Sequence, residues 1–133
     1  MRRAIVISSI LVLMTSGGAV KSQETGPVKK LMSLKLDYTR TILESIIKQD
    51  FETLKESSFR LGVLTASSDW MVIPTPEYSQ NMADFRRTVE ALGETHKGGD
   101  IDSAALAYLD MTLRCVQCHK YVRAYQTGSE ATK

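Results

Sequence analysis

The chain has little of most things that punctuate or staple a fold. Its 133 residues include three prolines, one tryptophan, two histidines and two cysteines. Two cysteines cannot build the disulfide framework of a small secreted scaffold. They also fall short of a structural zinc site, which wants four ligands and usually a second Cys/His pair. Almost nothing in the sequence alternates with the period of a strand, which excludes sandwiches and barrels. After Met14 no apolar run is long enough to span a bilayer. An excess of one charge is missing too: 17 basic and 15 acidic residues give a net +2. That balance argues against a nucleic-acid binder, which would show a basic face. It gives no sign of strong electrostatic steering either. No internal repeat or low-complexity block is visible.

The N-terminus carries what the rest lacks. Arg2 and Arg3 precede a short apolar run, Ala4 to Met14, and small residues follow at Gly17, Gly18 and Ala19. This is the pattern of a secretory signal peptide over residues 1–22, cleaved after Ala19 or after Ser22. An uncleaved anchor is the other reading of that run, and its length argues against it. No cysteine lies near the cleavage site, so a lipid anchor on cysteine is excluded. The expected location is the periplasm or an equivalent extracytoplasmic compartment. The mature chain of about 110 residues is the size of one domain. Loss of Arg2 and Arg3 brings its charge to neutrality.

Helical periodicity fills the remainder. A first helix begins near Pro27, with an apolar stripe through Val28, Leu31, Met32, Leu36, Ile42, Leu43, Ile46 and Ile47. It ends near Gln49, where Asp50 can cap a second helix carrying Phe51, Leu54, Phe59, Leu61 and Leu64. Pro74 and Pro76 make the segment from Trp70 to Glu77 the longest loop. A third helix follows to about Lys97, striped by Met82, Phe85, Val89 and Leu92, and Gly98-Gly99 stops it. Asp100 or Asp102 caps the fourth. Its inward stripe reads Ile101, Ala105, Tyr108, Met111, Thr112, Cys115, Cys118, His119 and Val122. Four amphipathic helices on short loops predict an all-α, antiparallel four-helix bundle over residues 23–127, with a flexible polar tail at 128–133.

The two cysteines stand in one CxxCH, Cys115-Val116-Gln117-Cys118-His119. Two thiols at this spacing can add to the two vinyl groups of a haem, and the next residue can give the iron an imidazole nitrogen. On a helix, positions i, i+3 and i+4 project from one face. A disulfide across three helical residues is awkward. A dithiol redox site would want a depressed thiol pKa and a βαβ context that the pattern lacks. The expected cofactor is therefore one covalent haem c with its iron. Tyr108 and Met111 should line the same wall, with the haem along the bundle axis under the other three helices.

With the haem motif on the last helix and Arg123 four residues beyond His119, the chain resembles the cytochrome c prime family and its low-spin relatives. Trp70 before the Pro-containing loop, Pro76-Glu77 and Phe85 also match that family's pattern. One departure is visible. Three residues after the ligand histidine the family usually has an aromatic, and here the position is Val122, between Tyr121 and Tyr125. The four-helix bundle is the fold this family is known for. The resemblance also implies that the distal haem position comes from the first helix, and that in low-spin members it is a methionine. It implies pairing as a homodimer through the first two helices.

Met32, on the inward stripe of the first helix, is the candidate sixth ligand; as a plain core methionine it would only fill space. Met111 shares a helix with His119 and cannot easily reach the opposite haem face. Lys35, one turn on, is expected to point to solvent as most lysines do. His96 suits the end of the third helix through the helix dipole alone. Arg123 could pair with a haem propionate. Two functions follow. One is an exported one-electron carrier serving redox partner proteins, catalysing no reaction of its own. The alternative is a five-coordinate haem protein that binds NO or CO. A small dithiol redox protein is the non-haem reading.

Overall fold

The computed structural model describes residues 26–128. The expected signal peptide, residues 1–22, and the tail residues 129–133 lie outside the described part. Four α-helices follow one another: α1 Gly26–Lys48, α2 Phe51–Thr65, α3 Pro76–Glu94 and α4 Ile101–Thr127. Short 3₁₀ turns at Ser68–Trp70 and Thr95–Lys97 lead out of α2 and α3. There is no strand among the described residues.

Each boundary has a local cause. Asp50 caps α2, its carboxylate accepting from the Thr53 amide at 3.0 Å. Pro76 opens α3 behind Thr75, whose hydroxyl accepts from the Tyr78 amide at 3.3 Å. Asp100 caps α4 by accepting from the Asp102 amide at 3.1 Å. Between α1 and α2 the chain reverses at Gln49, a non-glycine residue at φ 57. That left-handed step is held by bonds from the Gln49 amide to Ile46 O and from the Asp50 amide to Ser45 O. Gly128, at φ 65, closes α4 in the same way.

The Asp50 and Asp100 caps make a pH prediction. Hydrogen bonds, first from the Thr53 and Ser103 hydroxyls, hold both carboxyls below their usual range. A lowered carboxyl pKa stabilises the fold at neutral pH, and that stabilisation is lost as pH falls through the folded value. Asp50→Asn/Asp100→Asn should therefore lose less Tm than the wild type as the pH drops below the ordinary carboxylate range. Parallel acid limbs in a Tm-against-pH series would refute this.

The helices pack in sequence order, α1 on α2, α2 on α3 and α3 on α4, while α4 meets α1 far less extensively. The principal core is Ile42, Ile46, Leu54, Leu61, Phe85, Val89, Leu92, Ala104 and Met111. Small polar residues enter it because their hydroxyls bond back to their own helix: Ser45 to Ile42 O, Thr65 to Leu61 O, Thr88 to Phe85 O. A second cluster, Trp70, Ile73, Tyr78 and Met82, fills one end under the α2–α3 connection. Trp70 is a packing residue of this end. Its indole donates to Leu64 O at 2.8 Å, and the Tyr78 hydroxyl donates to Trp70 O at 2.6 Å.

Several stripe assignments change. Leu36, Leu43 and Ile47 face outward, Ile47 with 74% of its surface exposed, and so does Phe59 at 67%. In α4 it is Ala104, not Ala105, that is buried. The largest change concerns Lys35, expected in solvent. It is 7% exposed and takes the inward position one turn from Met32. Packed chiefly against α2, α1 presents a narrow inward arc, and 35, 42 and 46 fall on it while 36, 43 and 47 do not.

Candidate functional site

Where α1 and α4 part, a cleft of about 570 Å³ opens, within the range of small-molecule and cofactor pockets. α4 lines it with Cys115, Cys118, His119, Val122 and Arg123. The i, i+3, i+4 spacing thus delivers both thiols and the imidazole to one space. α1 contributes Met32 and Lys35, and the second cluster closes the end with Trp70, Ile73, Tyr78 and Met82. The walls are mostly apolar.

Two expectations about this space fail. Tyr108 and Met111 do not line it; they pack with Cys115 into the principal core, Met111 fully buried. α2 contributes no lining residue either, so the cleft is bounded by α1, α3, α4 and the α2–α3 connection rather than by all the helices. The reason is axial position. Residue 111 lies on the same face of α4 as 115 and 118, but one turn below 115 and two below 118, where the bundle is tightly closed. Val122, where the resembled family has an aromatic, lines the cleft, and so does Tyr125. The Tyr121 hydroxyl instead bonds to Thr75 Oγ1 at 2.5 Å, tying α4 to the loop.

The other candidates separate cleanly. Met32 and Arg123 reach the cleft. His96 does not: its Nδ1 lies 2.6 Å from Gly93 O, and its ring borders a different hollow between α2 and α3. Met71 is exposed in the loop. Two further lining residues carry no mark of a site in the sequence. Met82, early in α3, is buried against the cleft. Lys35, expected in solvent, lines it too. A methionine or lysine on an inward arc carries no sequence mark that separates core filling from a site.

Lys35 dominates the electrostatics. Its Nζ lies 3.4 Å from the Phe85 ring centroid and 5.4 Å from that of Trp70. A cation over aromatic faces is stabilised by their quadrupoles. Burial pulls the Lys35 ammonium below its ordinary pKa, and the nearby Cys115 and Cys118 partly restore it. Burial pushes both thiols up, against the opposing pull of Lys35. Burial, then Lys35 and Arg123, push His119 down. The site therefore favours protonated thiols and a neutral imidazole with a free lone pair at neutral pH.

Among the described residues no carboxylate lines the cleft, whereas Lys29, Lys35 and Arg123 do. Among the described residues no group of three or more His, Cys, Asp and Glu side chains is placed to hold a metal ion. Among them, too, no helix is long and apolar enough to cross a membrane. No protein family, curated protein or solved structure matches this chain.

Proposed function

We propose that this chain is an exported monohaem c-type cytochrome that carries single electrons between redox partner proteins. The observation that carries the reading is the convergence of the Cys115 and Cys118 thiols and the His119 imidazole on one mostly apolar cleft bordered by cations. The fit is chemical. Thiols bond covalently to vinyl carbons, the imidazole offers a nitrogen, mostly apolar walls suit a macrocycle, and Lys29 and Arg123 suit its carboxylates. A haem bound there supplies one-electron iron chemistry. The chain's own residues hold it, orient it and limit the access of water.

Within this reading His119 is the proximal ligand, Met32 the sixth, and Arg123 a propionate partner. The raised thiol pKa values count against the dithiol alternative, which needs a depressed one. The outward apolar residues Leu36, Leu43, Ile47, Phe59 and Val63 on α1 and α2 support the homodimer that the family resemblance implies.

An absorption spectrum taken oxidised, reduced and under carbon monoxide tests the proposal. Sharp α and β bands that carbon monoxide leaves unchanged are expected. A high-spin spectrum that shifts with the gas would replace electron carriage by the NO- or CO-binding alternative. Met32→Ala should turn the low-spin spectrum high-spin. A variant that stays low-spin would remove Met32 from the iron.

A further inference from the structure

Among the described residues Lys35 is a charge with no counter-charge. Its side chain is almost wholly buried, and no described carboxylate lines the cleft it occupies. Every ion pair among the described residues joins neighbours on one helix or helix end, and none involves Lys35. A buried, unpaired ammonium is costly. The aromatic faces of Phe85 and Trp70 offset only part of that cost. Folding would discard such a lysine for a methionine or leucine unless the cleft's occupant returned the difference. Solvation does not offset it, because Lys35 is on the inward arc of α1, almost wholly buried, with its amine against the Phe85 ring.

The occupant must then be anionic, and this inference rests on the haem reading above. An iron porphyrin with its two propionates carries net negative charge in both oxidation states, and one more negative charge when ferrous. A fixed cation beside it favours binding in either state and favours the ferrous state more. The effect is strong here because Lys35 is buried and solvent screens it little. We infer that Lys35 is the buried counter-charge of the prosthetic group, and that it biases the one-electron couple toward the reduced form. Lys29 and Arg123 lie at exposed positions on the border of the same cleft, where screening makes each worth less. Lys35 is a positioning residue here, acting through its charge and not through a bond to iron.

The test uses the haem-loaded protein, with attachment verified first by the pyridine haemochrome spectrum. Equilibrium potentials are then compared for wild type, Lys35→Met, Lys35→Gln, Lys35→Arg and the exposed control Lys29→Gln. Both neutral variants should shift the reduced-to-oxidised ratio tenfold or more toward ferric, about 59 mV for one electron. Lys35→Arg should stay within twofold of wild type, and Lys29→Gln should move less than the Lys35 variants. Loaded neutral variants at the wild-type potential, or above it, overturn the inference while leaving the haem reading intact. A wild-type chain that takes up no haem overturns both. Should the neutral variants fail to acquire haem while Lys35→Arg acquires it, the counter-charge stands on uptake; failure of all three assigns Lys35 to packing and overturns it.

Discussion

Cys115→Ala/Cys118→Ala, expressed beside a working haem-attachment system, should yield a chain from which acidified solvent extracts all haem. The wild type should keep its haem through the same extraction and through a denaturing gel. Intact mass gives an independent reading: wild type should weigh one haem more than its mature chain, and the double variant should weigh the chain alone. The effect is all-or-none because each thioether is a covalent bond and the chain has no other thiol to replace it. The fold should persist in the double variant. Both side chains are half-buried and small, so truncation removes little apolar surface. Unchanged helical circular dichroism would separate loss of attachment from loss of fold. A wild-type mass equal to the bare chain, or to the chain less two hydrogens, would favour the dithiol reading instead.

Phe85→Ala should be among the most destabilising single substitutions in the core. The ring is 1% exposed within the principal core and also lies under the Lys35 ammonium. Removing it forfeits the transfer energy of the ring and leaves a cavity, together about 3–5 kcal/mol. It also strips Lys35 of its nearest aromatic face, so the loss should fall at the upper end of that range. Against a total of about 5–15 kcal/mol for a domain, this is a large share. Phe59→Ala is the internal control. That ring is 67% exposed, and its removal should stay within about 0.5 kcal/mol. Urea midpoints of the three proteins decide the matter. A Phe85→Ala loss below about 1 kcal/mol would show that the site collapses around the gap.

How far the sequence could be read depended on the kind of signal. Helix ends were legible because their causes are local. Asp50, Pro76, the Gly98-Gly99 pair and Asp100 act on backbone groups within a few residues, and all four mark boundaries in the structure. Inward positions were legible only in part. Apolar character correctly marked Ile42, Leu54, Leu61, Phe85, Val89, Leu92 and Met111. It misplaced Leu36, Leu43, Ile47 and Phe59, because a surface also carries apolar side chains. It missed Lys35 altogether, because a hydropathy pattern assigns every lysine to water.

The site divides along the same line. Sequence alone determined the chemistry on offer: two thiols and an imidazole at i, i+3 and i+4, on one face of one helix, in a chain with no other cysteine. That follows from helical geometry, which needs no partner. Only the tertiary structure decided what faces them. The parting of α1 from α4 opens the cleft, and the rotation of α1 turns Met32 and Lys35 into it while His96 stays on another face of the bundle. Those are properties of how helices rotate and separate when they pack. They depend on the summed fit of many side chains and are written in no single motif.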